Sequence, residues 1–512
     1  MSDRERASLP ATRVLAALAC LLVACERPAA PRTEPPPATA PHPLDADVAA
    51  ALSHLESAPR DVPLAVAHLV RACRRAPGDL LAAALLHRAL SDGRAAAPIL
   101  EMAHEGAVFS AVFSPDETRV LTVADDRAAH LWNAVTGQPV GLPMPHEGRV
   151  RSAAFSPDGR RIVTGGDDMF ARFWKATTGE PDGEPLPHDS RVWSVAFSPD
   201  GSRVLTASGD GSAQLWQAES GRAAGRPLVH YAAIFTARFS PDGTRIVTAS
   251  GDWMARVWDV ETGRHLGAPM QHTRARVSSA CFSDDGRFVV TVSGDRSARV
   301  WNAATGKPIG EPLWHERAVI GACFSADASR VLTASLDGTA RLWKTGEPVV
   351  LLRHRDAVRA AAFAPGDRRV ATASQDHTAR LWDAATGLEI GGPFSHGESV
   401  QSVAFTADGT RLLTAGLDGF ARLWDAGPPD AAPAWFLDFA EGFVGWKIAD
   451  DGKPVPFSQR ELPPPPGGPE DAWTRLAGWL RKSGAGNRVN PAAAPPAHRP
   501  DIPARIYPAP AR

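Results

Sequence analysis

Eight tryptophans, Trp132, Trp174, Trp216, Trp258, Trp301, Trp343, Trp382 and Trp424, recur at intervals of 42, 42, 42, 43, 42, 39 and 42 residues. Self-similarity at a fixed period constrains a fold more tightly than any local propensity. A histidine stands 28 residues before seven of these tryptophans and 29 before the fifth: His104, His146, His188, His230, His272, His315, His354 and His396. Six residues before each tryptophan lies an aspartate, in order Asp126, Asp168, Asp210, Asp252, Asp295, Asp337, Asp376 and Asp418. Four residues before each aspartate comes a threonine, from Thr122 through Thr164, Thr206, Thr248, Thr291, Thr333 and Thr372 to Thr414. Between these marks, VRSAAF, RRIVTGG and ARFW are short, rich in β-formers and partly alternating, as strands are. SPDG or a variant divides the first two, and GDGS or LDGT follows the aspartate, placing glycine where a hairpin needs positive φ. A third segment such as TGQPVGLPMPH leads into the next unit. The spacing predicts four strands per unit.

In these residues the chain resembles the WD40 family, over about residues 96–426. The resemblance implies an all-β fold, an eight-bladed β-propeller with four antiparallel strands per blade around a channel. Departures are local. Only Trp258, Trp382 and Trp424 are followed by Asp, and the usual glycine before the histidine is missing. Ser208, Ser250, Ser293, Ser335 and Ser374 keep a small hydroxyl two residues before the aspartate, whereas Ala124, Gly166 and Gly416 do not. The resemblance also implies that each His, Thr, Asp and Trp belong to one hydrogen-bonded network. That role is structural, since the histidines come one per blade without a Cys or second His at ligand spacing. No GxPxGxP-like segment follows Trp424, so Ile99–Met102 is expected to serve as the outer strand of the last blade and remove two open edges.

The flanks differ in kind. Arg4, Arg6 and Arg13 precede an apolar run, Val14 to Ala24, which as a helix would span about 16 Å, too short to cross a bilayer. Residues 1–25 fit a secretory signal peptide, and Leu22-Val23-Ala24-Cys25 resembles a bacterial lipobox in which Cys25 is acylated. The alternative is a chance apolar stretch on a cytoplasmic chain, with Asp3 and Glu5 diluting the basic start. Residues 26–43 are a proline-rich linker. Residues 44–95 read as a helical hairpin broken at Pro77-Gly78. Residues 427–512 are expected to form a short C-terminal α/β extension: a short helix and hairpin in FLDFAEGFVGWKIADDGKPVPF, an amphipathic helix from Asp471 with Trp473, Leu476 and Leu480 on one face, and a Pro/Ala-rich disordered tail.

Catalytic signatures are missing: the chain has no GxSxG, GxxxxGK[ST], HExxH or CxxC. No cofactor, metal or catalytic residue is therefore assigned. Lys plus Arg is 55 against 57 for Asp plus Glu, which argues against a nucleic-acid partner. Cys281 and Cys323, one repeat apart, read as small buried hydrophobes. Aligning the residue after the first strand's apolar anchor gives Phe109, Arg151, Trp193, Phe235, Ser278, Ile320, Arg359 and Gln401. The residues after the aspartate add Met169, Phe170 and Trp253, and Arg149 and Arg191 lie alongside. Large apolar and Arg side chains on blades one to four suggest a patch for protein or peptide partners; alternatively they line the channel mouth and pack on one another. The leading expectation is a monomeric, non-enzymatic scaffold lipid-anchored at the bacterial envelope. A cytoplasmic regulatory partner without a cleaved signal and a propeller enzyme with a channel-mouth active site are the alternatives.

Overall fold

Turns decide where this chain reverses, and the SPDG segments are laced to do it. In the second unit Ser156 Oγ donates to Asp158 (2.6 Å), the Arg161 N–H donates to Ser156 Oγ (2.9 Å), and Gly159 takes φ +67°. A computed structural model describes residues 98–427 except 274, 345, 346 and 391, together with Ala51, Val62–Arg75, Ala82, Leu86, 446–448 and 454–456. The expected signal peptide with Cys25, the proline-rich linker, the second helix of the hairpin up to 95, the helix from Asp471 and the tail lie outside the described residues or are barely represented in them.

Within 98–427 the chain forms eight four-stranded antiparallel sheets. The first blade runs Val108–Phe113, Arg119–Ala124, Ala128–Asn133 and Met144–Pro145, spatial order following chain order. Six more blades repeat it. The eighth combines Val400–Phe405, Arg411–Gly416 and Phe420–Asp425 with Leu100–Ala103 from the start of the ring. Leu100 opposes Leu423 and Met102 opposes Ala421, so the expected closing strand is present, displaced by one residue. Glu101 adds an ion pair to Arg422 (2.7 Å).

Each sheet buries its faces only against its neighbours. One core cluster joins Leu121, Val123 and Leu131 of blade one to Phe155, Ile162 and Trp174 of blade two. Another joins Leu413, Leu423 and Met102 of blade eight to Val108, Val120 and Trp132 of blade one, which closes the ring with the same packing. Full burial of a Leu- or Phe-sized side chain supplies about 1.5–3 kcal/mol, and no single blade can obtain it alone. The inner strands converge at the channel, so they carry small residues. VRSAAF, VWSVAF and VSSACF are buried throughout. Cys281 and Cys323 sit there, both buried, with Cys281 Sγ 3.5 Å from the Ala322 carbonyl of the next blade.

A recurrent arginine opening the second strand pins several of the blades to the next. Arg119 donates to the carbonyls of Ala176 (2.6 Å) and Gly159 (2.9 Å), and Arg369 to those of Ala426 (2.7 Å) and Gly409 (2.6 Å). Arg245 and Arg330 reach Gly286 and Asp367 in the same way.

The outer strands are uneven. Blades one, two, three and seven have two-residue outer strands, whereas His265–Gln271, Pro308–Trp314 and Glu347–Arg353 have seven residues each. A proline just before the buried anchor, as Pro143 before Met144, cannot donate to the ladder. In blades four and five the ladder continues past Pro269 and Pro312 through a register shift. Blade six has Leu351 at that position, and its ladder is unbroken from Thr339–Arg353 to Leu342–Val350.

Residues 43–92 and 430–512 make a second compact unit, so two stretches far apart in sequence share one body. Its helix α1, Val62–Arg75, buries Val66, Leu69, Val70 and Cys73, one face at helical spacing, and packs against Trp446–Ile448. That strand pairs with Pro454–Pro456, the hairpin expected from the sequence. Among the described residues no helix is long and apolar enough to cross a membrane.

Candidate functional site

The polar network comes first, because it holds the loops of one ring face. In blade seven Trp382 Nε1 donates to Thr372 Oγ1 (2.7 Å), His354 Nε2 lies 2.6 Å from that hydroxyl, and His354 Nδ1 lies 2.9 Å from Asp376. An imidazole with its proton on Nδ1 satisfies the whole chain: indole to hydroxyl, hydroxyl to Nε2, Nδ1 to carboxylate. The same links form in blades two, four, five, six and eight, at His146, His230, His272, His315 and His396. Asp168, Asp252, Asp295, Asp337, Asp376 and Asp418 all ionise well below the usual carboxylate range. Burial alone would raise them, but hydrogen bonds from the histidine and from a neighbouring Arg, Ser or Thr more than offset it.

Two blades depart from this pattern. In blade one His104 Nδ1 turns to the Met102 carbonyl (3.2 Å), and Asp126 is taken by His130 (2.8 Å). Burial, with His130 adjacent, pushes the His104 pKa down to about 4. In blade three Trp216 still reaches Thr206 (2.9 Å), but His188 Nε2 is buried without a partner and Asp210 bonds the Ser212 N–H instead. The histidine ring is thus in the network in seven blades and is left out of it in blade three. Among the described residues no group of His, Cys, Asp and Glu is placed to hold a metal ion.

The His–Asp bonds tie the loop after the histidine to the turn around the aspartate, putting both on one face. There the inner strand of every blade carries a register shift, as between Val108 and Ser110 or Val192 and Ser194. The shifted residues are Phe109, Arg151, Trp193, Phe235, Ser278, Ile320, Arg359 and Gln401. A β-bulge re-aims the side chain it carries, so these eight form a ring at the channel mouth. The turn residue after each aspartate has positive φ in all eight blades. Three are glycines, Gly211, Gly338 and Gly419, but Arg127, Met169, Trp253, Arg296 and His377 hold φ between +64° and +74°. A left-handed backbone costs a non-glycine residue roughly 1–2 kcal/mol, and such strain concentrates at working surfaces.

The structure divides the candidate residues into two groups. Phe109, Arg151 and Trp193 are buried, at 8%, 3% and 6% exposure, and Phe235 is half-buried. They interlock: Arg151 binds Asp167 at both oxygens (2.8 and 2.5 Å) and lies 4.9 Å from the Trp193 ring centroid. Trp193 meets Phe235 edge to face at 5.9 Å. Arg149 lies 5.1 Å over Phe109. Outside this layer Met169 is 46% and Trp253 44% exposed, Arg191 is exposed and Phe170 half-buried. The rings thus pack into a wall while the strained turn residues project from it. Tyr231, 95% exposed after His230, and Arg276, 5.8 Å from the Phe235 ring, join this face unannounced. Arg276 was legible once the extra residue of the fifth repeat is allowed for, since it then aligns with Arg149 and Arg191.

A family profile described as "WD domain, G-beta repeat" matches eight segments: 97–133, 137–175, 183–217, 227–259, 264–302, 306–344, 346–383 and 391–425. Among solved structures, the crystal structure of the computationally designed Ika8 protein is similar at 24% identity, TM-score 0.57, over 64% of this chain and 99% of that one. That likeness concerns the fold. No curated protein matches the chain.

Proposed function

The chain belongs to the WD40 family, and on that premise we propose that it is a non-enzymatic scaffold that docks a protein or peptide on the ring face bearing Trp253 and Met169. Propellers of this family typically serve protein interaction and generally lack enzymatic activity. The observation that carries the reading is the pair of large apolar residues held, exposed, in a backbone conformation that three sister blades give to glycine. Backbone strain of this kind clusters at binding and switching surfaces. Aromatic side chains that stand clear of a packed layer are the usual anchors of interfaces.

The buried wall behind them orients these anchors and resists substitution. Trp193→Ala would disturb packing as well as binding, so Trp253 carries the cleaner test. Trp253→Gly and Met169→Gly remove the anchors and the strain together. Capture from native membranes with parent and double variant should show specific partners lost in the variant, while its unfolding midpoint holds or rises. Identical partner sets would refute the docking face.

The same reading places the ring at a bacterial envelope, monomeric and held by acyl chains on Cys25. Arg4, Arg6, Arg13 and the short apolar run before Cys25 support it, and the proline-rich segment supplies reach. The intact mass of the mature N-terminus tests it: an acylated Cys25 is expected, and an intact Met1 would refute it.

A further inference from the structure

Two arginines on the docking face lack a carboxylate, for reasons the repeat makes visible. The residue just before the inner strand's first valine is Arg149 in blade two, Arg191 in blade three and Arg276 in blade five. Arg149 reaches back to Asp125 of the preceding blade (2.5 Å). The equivalent acid for Arg191 is Asp167, but Arg151 already holds both its oxygens. The equivalent position for Arg276 is Gly251, which has no side chain to offer. Among the described residues neither arginine has an ion pair. Each instead lies against a ring, Arg191 5.5 Å from the Trp193 centroid and Arg276 5.8 Å from that of Phe235.

Trp193 and Phe235 themselves touch at 5.9 Å, so the order along the mouth is cation, ring, ring, cation. Gly251 lies against the same surface. A Cβ there would stand 3.6 Å from the Phe235 ring edge, which puts the turn bearing Trp253 beside the aromatic pair. Arg276 is half-buried, where a guanidinium without a counter-ion is costly; a partner's carboxylate would remove that cost through paired N–H donors, while the exposed Arg191 offers its donors to a second one. A phosphate would need guanidiniums converging on one point; here two rings hold them apart.

We propose that this mouth binds an extended acidic peptide segment with Asp or Glu on either side of a large apolar residue. The inference rests on the docking face proposed above. Arg191 and Arg276 take the flanking carboxylates, and the apolar side chain rests between Trp253 and the Trp193–Phe235 edge. The net charge of −2 is no obstacle, because the local arrangement of charge and not the total steers a ligand to a site.

The test uses the full chain against a display library of random short unmodified peptides, in three forms: parent, the double variant Arg191→Glu with Arg276→Glu, and Trp253→Gly. Urea midpoints that hold or rise establish that the variants fold. The parent should enrich acid–apolar–acid segments whose affinity falls with added salt. The charge-reversed form should bind them at least tenfold more weakly, a loss of about 1.4 kcal/mol, and should enrich basic segments instead. Three results overturn the assignment: neutral or basic segments selected by the parent, affinity unchanged on charge reversal, or phosphoserine versions binding tenfold tighter than the acidic ones. If neutral segments are selected and lost in Trp253→Gly, the acidic assignment falls and the docking face stands. If no selected peptide depends on Trp253 or either arginine, both fall.

Discussion

Replacing the buried threonine at the centre of a blade's network with valine should cost more in blade seven than in blade three. Valine keeps the shape and removes the hydroxyl. Thr372 is fully buried and serves two partners, Trp382 Nε1 at 2.7 Å and His354 Nε2 at 2.6 Å. Without the hydroxyl both nitrogens are left unsatisfied, at about 1–3 kcal/mol each, so Thr372→Val should cost about 2–6 kcal/mol. Thr206 is equally buried but carries one ring nitrogen instead of two, Trp216 Nε1 at 2.9 Å, and its hydroxyl donates to the Gln214 carbonyl (3.2 Å), because His188 Nε2 lacks a partner. Thr206→Val should therefore cost about 1–3 kcal/mol, one unsatisfied group instead of two. Urea unfolding followed by tryptophan fluorescence, with equal m-values, reads the difference directly. Thr372→Ser, which keeps the hydroxyl, should recover most of the loss. Equal costs at the two sites, or a larger one at Thr206, would refute the idea that hydrogen-bond satisfaction sets the strength of a blade.

Other outcomes follow from the same geometry. Met102→Ala, at 1% exposure in the closing strand, should cost about 2–5 kcal/mol in urea unfolding. Arg369→Met should cost about 2 kcal/mol or more, since it strands the Ala426 and Gly409 carbonyls, read by the same assay. Met169→Gly should stabilise by about 1 kcal/mol by relieving its left-handed backbone. Stability should fall as pH drops from about 6.5 toward 4. Burial lowers the folded-state pKa of His104 to about 4 and lowers those of His188, His230, His315 and His396, so in this window the unfolded chain binds more protons. His104 alone contributes about 3 kcal/mol of stability, fully present above 6.5 and lost on the way down to 4. Below about 3.8 the depressed aspartates add further loss as they protonate. His104→Gln should flatten the upper part of that profile in pH-jump denaturation.

Ring size, blade boundaries and the closing strand were all legible, because each depends on residues repeated eight times or on the one segment left over. Individual blades were less so. His130 aligns with the arginines that follow the aspartate elsewhere, and only the fold shows it taking Asp126 from His104. The inter-blade pins were visible as Arg119, Arg161, Arg245, Arg330 and Arg369, five residues after the turn serine or its equivalent. An arginine opening a strand reads as a solvated end until its neighbour's carbonyls are seen beneath it. The channel-mouth residues were aligned correctly by position. Their burial was not readable, since a register shift turns Trp193 toward Arg151 and Phe235 instead of outward.

The strand Leu100–Ala103 also governs when this molecule can exist. Its partner Arg422 lies 321 residues further along than Glu101, so the first piece of the ring to be made waits for the last. Until Phe420–Asp425 emerges, every partial product has two raw sheet edges, and loop-closure entropy delays their meeting. The finished propeller therefore doubles as a completeness check: a chain cut short anywhere before its final blade has nothing for its opening strand to hold.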